Sequence, residues 1–151
     1  MRKSVFAVAI AVAVMLLGTP LWAVEGGTAP EARTMLEKAV AALKADQAKA
    51  LAQFVRRDGG FVDRDLFVFC YNTADGKMTA HINPSVLGQD IRALRDGEGA
   101  PLGQSIFDTN QAGEIRTIDY KFPRPGTTNA VPKQAYITIV GNQGCGVGYY
   151  K

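Results

Sequence analysis

The stretch LFVFCYNTADGKMTAHINP, residues 66–84, constrains the fold of this chain more than any other segment. Apolar, aromatic and β-branched residues run into Asp75-Gly76, and beyond them Met78, Ala80 and Ile82 alternate with Lys77, Thr79, His81 and Asn83, the pattern of a β-hairpin. Its register decides what faces what, because a one-residue slip turns every side chain of a strand to the other face. A two-residue Asp75-Gly76 turn sets Cys70 opposite His81, and a three-residue Ala74-Asp75-Gly76 turn sets Phe69 opposite it. The second is favoured, since it puts Phe67, Phe69, Tyr71, Thr79 and His81 on one face, an aromatic surface with polar tips of the kind ligand pockets use.

The chain begins with a basic tip, Met1-Arg2-Lys3, followed by a small and aliphatic run from Val5 to Leu17 and then by Gly18-Thr19-Pro20-Leu21-Trp22-Ala23. Charge, length and the small-residue exit predict a secretory signal peptide over residues 1–23, cleaved after Ala23. The apolar run falls short of the roughly 20 residues of a membrane-spanning helix, which argues for cleavage over anchoring. No cysteine near the cleavage point suggests a lipid anchor. Losing Arg2 and Lys3 takes the formal charge from +3 to about +1. The remaining basic residues are scattered, so no nucleic-acid surface is expected.

Residues 24–151 then form a single domain with one core. The chain has two cysteines, Cys70 and Cys145, each in a predicted strand. An even count in an exported domain favours a disulfide, and two buried thiols that never meet are the other possibility. The spacing fits neither a CxxC redox centre nor a zinc site.

Thr28-Ala29-Pro30-Glu31 is a capping box with proline in the first turn. After it Ala32, Met35, Leu36, Ala39, Val40 and Leu43 recur at helical spacing, opposite Arg33, Glu37, Lys38 and Lys44. Asp46 can cap a second helix with an apolar face of Ala50, Leu51, Phe54 and Val55, ending at Asp58-Gly59-Gly60; a bend or a break at Ala45-Asp46 both fit. After the hairpin, Val86, Leu87, Ile91 and Leu94 fall at helical intervals between Ser85 and Leu94. A glycine-rich loop over residues 95–103 carries no phosphate-binding pattern. A short helix is expected over residues 104–111, then strands over residues 114–122, 134–140 and 145–150. The order makes an α+β domain: one face of an antiparallel sheet packs on the long helix, and residues 85–113 cover the other. A sheet face covered by loops is where a ligand cavity forms.

These residues resemble the single Cache domain, a PAS-like extracytoplasmic sensor. The resemblance rests on the first helix, FVDRDLFVFCYNTADGKMTAHINPSVLGQDI, the Asp96-Gly97 loop, Tyr120-Lys121-Phe122-Pro123, VPKQAYITIVG and GCGVGYY, and it covers residues 28–151. It implies a five-stranded antiparallel sheet with a long N-terminal helix on one face and a small-molecule pocket on the other. In such a sheet the first and last strands lie side by side, which implies a Cys70–Cys145 bond. The resemblance further implies recognition of a short organic acid or similar metabolite, with Tyr71, His81, Tyr120, Lys133 and Tyr136 as the ligand-binding residues. Tyrosine hydroxyls, an imidazole and one ammonium are donors suited to a short carboxylate in an apolar cavity. No kinase, cyclase or chemoreceptor region follows Lys151, so a stand-alone periplasmic or secreted binding domain is expected.

Catalysis is not expected. One histidine does not make a multi-histidine metal site, and a Cys70–His81 nucleophile pair needs a free thiol and an orienting residue that the sequence does not supply. No cofactor is expected. The alternative to a ligand-binding module is an interaction module that docks on a membrane-bound receptor or kinase and regulates it.

Overall fold

Asp46 divides the N-terminal helical segment into two. α1 (Ala29–Ala45) starts at Thr28, whose hydroxyl accepts from Glu31 N while the Glu31 carboxylate accepts from Thr28 N, and it buries Ala32, Met35, Leu36, Ala39 and Leu43. At Asp46 the backbone turns extended and the carboxylate accepts from Lys49 N (3.0 Å), so one residue closes α1 and caps α2 (Gln47–Arg56). α2 buries Ala50 and Phe54 and ends at Arg57, which is left-handed (φ 61°). Val55, expected on the apolar face, is 38 % exposed: it follows Phe54 by one residue, about 100° round the helix. The computed structural model describes residues 26–151, so the expected signal peptide and its cleavage point lie outside the described residues. Among the described residues no helix is long and apolar enough to cross a membrane.

The sheet contains β1 (Val62–Asp63), β2 (Leu66–Asn72), β3 (Met78–Ala80), β4 (Arg116–Pro123), β5 (Ala130–Val140) and β6 (Gln143–Tyr150), all antiparallel. Its order is β1-β2-β6-β5-β4, with β3 also on β2. The expected α+β, PAS-like architecture is therefore present, with two-residue β1 as a sixth strand. Cys70 on β2 stands opposite Cys145 on β6, and the two are disulfide-bonded.

The hairpin combines two registers. Cys70 pairs with Ala80, as the three-residue turn requires, but β3 then bulges and Tyr71 pairs with Met78 instead of Thr79. Thr79 is the extra residue; its hydroxyl donates to Gln143 Oε1 (2.6 Å), while Met78 joins Tyr71 in the core of the cavity side. Thr79 thus leaves the aromatic face on which it was expected.

β5 begins at Ala130, earlier than expected, in spite of Pro132. The Pro132 carbonyl accepts from Lys151 N just past the end of β6, and in an antiparallel strand the missing N–H falls on that same side, so the one bond forgone is to Lys151, beyond the last residue of β6.

The sheet has unlike faces. One packs Leu66, Val68, Cys70, Cys145 and Val147 against Ala32, Leu36 and Ala39 of α1 and Phe54 of α2. The other carries Tyr71, Met78, Ala135 and Ile137, over which lie Ile91 and α3 (Leu102–Thr109) with Leu102 and Ile106. The helical reading of residues 85–94 is corrected to two 3-10 turns, Pro84–Val86 and Ile91–Ala93. Between them the backbone extends the sheet edge: Gly88 N donates to Met78 O, Met78 N to Gln89 O and Ile91 N to Gly76 O, bonds that a continuous helix could not make. α3 sits close on the second turn because Gly103 has no Cβ; one placed there would lie 1.6 Å from Ile91 O.

Candidate functional site

Glycine alternation in β6 opens the site. Gly144, Gly146 and Gly148 share a face, and a Cβ at each would strike Tyr71 Cζ (2.2 Å), Phe69 Cζ (2.5 Å) and Tyr120 Oη (2.5 Å) respectively. Large side chains of β2 and β4 therefore fold down over bare β6 backbone, and above them lies a cavity of about 570 Å³, roofed by residues 82–106 and closed at one end by Phe122, Pro123 and Pro125. Phe67, Phe69, Met78, Ile91, Leu102 and Ile106 supply most of its wall.

A cross-strand row crosses the floor at one end. Tyr120 on β4 pairs with Lys133 on β5, which pairs with Tyr150 on β6, so the three side chains share a face. Lys133 is 6 % exposed, and its Nζ lies 4.4 Å from the Tyr150 ring centroid and 5.6 Å from that of Phe67. Among the described residues it has neither a salt bridge nor a side-chain hydrogen bond; Asp65 acts on it only through its field. Burial drives its pKa down to about 8, against a smaller opposing effect of Asp65. The Tyr120 hydroxyl is likewise unengaged, and burial pushes its pKa up. A Cβ on Gly148 would touch both Tyr120 Oη (2.5 Å) and Lys133 Cε (3.2 Å), so the two donors are neighbours.

His81 stands beside this row, with its ring edge-on to Phe67 at 5.1 Å. Its Nδ1 accepts from Asn83 N (2.9 Å), which leaves the proton of the neutral ring on Nε2. Burial, reinforced by the charge on Lys133, lowers its pKa.

Most other polar groups of the lining are engaged, and Arg95, which has no ion-pair partner among the described residues, is exposed to solvent. Asp90 is bound by Arg92, the Asn83 amide oxygen accepts from Ser85, Gln89 donates to Ser85 O, and Tyr150 Oη donates to Pro123 O. Asp65, whose side chain is 11 % exposed, accepts from Gly27 N (2.5 Å) and faces Arg124 at 3.9 Å. What remains free within the enclosure is an ammonium, a phenol and an imidazole N–H, with the Arg95 guanidinium at its exposed margin, a donor set matched to a carboxylate.

Of the expected ligand residues, His81, Tyr120 and Lys133 line the cavity and Tyr71 and Tyr136 do not. Tyr71 lies under α3, packed on Phe107 (5.6 Å), its hydroxyl accepting from Asn110 Nδ2 (3.0 Å). Tyr136 is on the opposite face, stacked on Tyr149 (5.7 Å) beneath the Arg33 guanidinium. The period of two makes this unavoidable: Lys133, Ala135 and Ile137 share one face of β5, so Tyr136 takes the other. Tyr150, Asp65 and the three glycines were not anticipated. Gly144, Gly146 and Gly148 at every second position of a strand were the available signal, since glycine inside a strand marks close approach.

Among the described residues no cluster of His, Cys, Asp or Glu could hold a metal ion.

A helix-backed antiparallel sheet with a hollow, covered opposite face is the architecture of a PAS-like sensor domain. The chain belongs to the single Cache domain 2 family, whose profile matches residues 28–149. Over 72 residues, 47% of this chain, it is 29% identical to the methyl-accepting chemotaxis protein McpP of Pseudomonas putida, and that stretch is 13% of the relative's length. Among solved structures, a methyl-accepting chemotaxis protein from Vibrio parahaemolyticus superposes with a TM-score of 0.64 at 21% identity, covering 80% of this chain and 86% of that one. A periplasmic sensor domain of a chemotaxis protein gives 0.56 at 24% identity, over 78% and 86% of the two chains. A Cache chemosensory domain described in terms of carboxylic acid recognition gives 0.55 at 20% identity, over 78% and 84%. At these identities the superpositions establish the fold.

Proposed function

We propose that this domain binds a small organic acid at the Tyr120–Lys133–Tyr150 row and serves as the extracytoplasmic sensing part of a signalling system, its state read by a membrane-bound receptor or kinase. One observation carries the reading: Lys133 is an ammonium 6 % exposed, without a carboxylate partner among the described residues, facing a cavity. A buried cation is normally paired, and an anionic guest is the partner that fits here. Lys133 supplies the charge, while Tyr120 Oη and His81 Nε2 supply hydrogen bonds. The likeness to a carboxylic-acid-recognising Cache domain supports the same class of ligand.

Calorimetry with acetate, propionate, pyruvate and lactate, followed by Lys133→Met on any ligand found, tests this. Heat of binding that the substitution abolishes is the expected result. Binding unchanged in Lys133→Met removes the lysine from the site. Silence from all small metabolites shifts the reading to a module that docks on a membrane partner without a ligand of its own.

A further inference from the structure

We infer that, if the guest is an acid held at Lys133, its body is apolar and several carbons long: a medium-chain, branched or aromatic monocarboxylate. The inference rests on the acid-binding reading and deepens it in one respect, the part of the ligand beyond the carboxylate. The cavity measures about 570 Å³, in the middle of the range of roughly 300–1,000 Å³ that holds guests much larger than acetate. A two- or three-carbon acid seated on Lys133 leaves most of that space, and the surfaces of Phe69, Met78, Ile91, Leu102 and Ile106, to water.

The arrangement of polar groups points the same way. The unengaged donors of the floor, Lys133 Nζ, Tyr120 Oη and His81 Nε2, stand around one end, where a single carboxylate uses them. Of the other polar side chains of the lining, Asp90 is held by Arg92 and opposes a second anionic group, Asn83 and Gln89 bond within the protein, and Arg95, unpaired among the described residues, is exposed to solvent. A hydroxy acid or dicarboxylate whose second polar group lies inside the enclosure would therefore lose hydration there without a buried replacement partner. The apolar lining reaches the protein surface, since Phe122 and Leu94, both part of it, are 37 % and 39 % exposed.

Calorimetry on the purified protein with acetate, butyrate, hexanoate, octanoate and phenylacetate, beside succinate, malate and neutral hexanamide, decides the matter. Affinity should rise by about fourfold for each methylene from acetate to hexanoate; phenylacetate should bind, and succinate and malate should trail butyrate by at least tenfold. Affinity that peaks at acetate, or succinate or malate binding tighter than butyrate, overturns the apolar body while leaving the acid site intact. Hexanamide binding as tightly as hexanoate, or no acid binding at all, overturns the acid reading and this inference with it.

Discussion

The two faces of one sheet, and of β6 in particular, are built on opposite principles. Cys145, Val147 and Tyr149 point to α1 and fill the space beneath it, whereas Gly144, Gly146 and Gly148 point the other way and leave room. The helix face has a disulfide at its centre and an apolar core of Leu36, Val68 and Val147 at 2 % exposure or less. The cavity face holds a partly desolvated ammonium and empty volume, both of which work against folding. Stability is thus concentrated on one side, so that the other can stay hollow and charged without a partner.

The contrast can be broken most severely from the helix side. Replacing the pair with Cys70→Ala and Cys145→Ala releases a closed loop with a sequence separation of 75, and chain entropy puts the loss near 4 kcal/mol, to be read as a lower urea midpoint. From the cavity side the sign reverses. Lys133→Met should raise the stability of the free protein by up to about 3 kcal/mol, because the depression of its pKa from 10.5 to about 8 measures a folded-state penalty on the charge. The same substitution should weaken binding of any carboxylate by roughly 2–5 kcal/mol. A melting temperature that falls in Lys133→Met would show that the ammonium is stabilised by something other than a guest.

A third test asks whether the glycines are spacers. Gly146→Ala puts a Cβ 2.5 Å from Phe69 Cζ and 2.8 Å from the Tyr136 carbonyl, and overpacking of this kind costs about 1–3 kcal/mol; thermal unfolding should show it. The smallest effect is in pH. Lys133 in the folded state loses its proton near pH 8 and in the unfolded state near 10.5, so between those values the unfolded chain binds more protons and stability rises with pH, by at most about 1.4 kcal/mol per unit. Below pH 8 both states are protonated and the penalty is complete. The stability difference between Lys133→Met and the parent should therefore shrink from pH 8 to 10.5, while carboxylate affinity of the parent falls over the same range.

Local chemistry made much of this legible in advance. The Thr28–Glu31 capping box, Asp46 as a cap, the Asp75-Gly76 turn and the alternation of β5 each act within a few residues, and each is where the sequence places it. Tyr120 and Lys133 were legible separately, through the family resemblance, and only the register of β4 on β5 sets them side by side. Failures came where long-range partners decide. The apolar residues between Ser85 and Leu94 have helical spacing, yet the free edge offered by Gly76 and Met78 claims the backbone of Gly88, Gln89 and Ile91. The bulge at Thr79 depends on a bond to Gln143, and the emptiness above β6 depends on aromatic rings contributed by β2 and β4. Tyr136 was a different kind of miss: the period of two already excluded it from the face of Lys133.

The bond between Cys70 and Cys145 also has a topological consequence. It closes a covalent ring that contains β3, the whole cover with α3, β4 and β5, and leaves α1 and α2 on an open tail outside it. A single protease cut anywhere between those cysteines, for instance in the exposed turn at Gly99, linearises the ring without separating the fragments. Under denaturing conditions the nicked chain stays one covalent molecule, heavier by a single water, until a reductant is added, and only then comes apart.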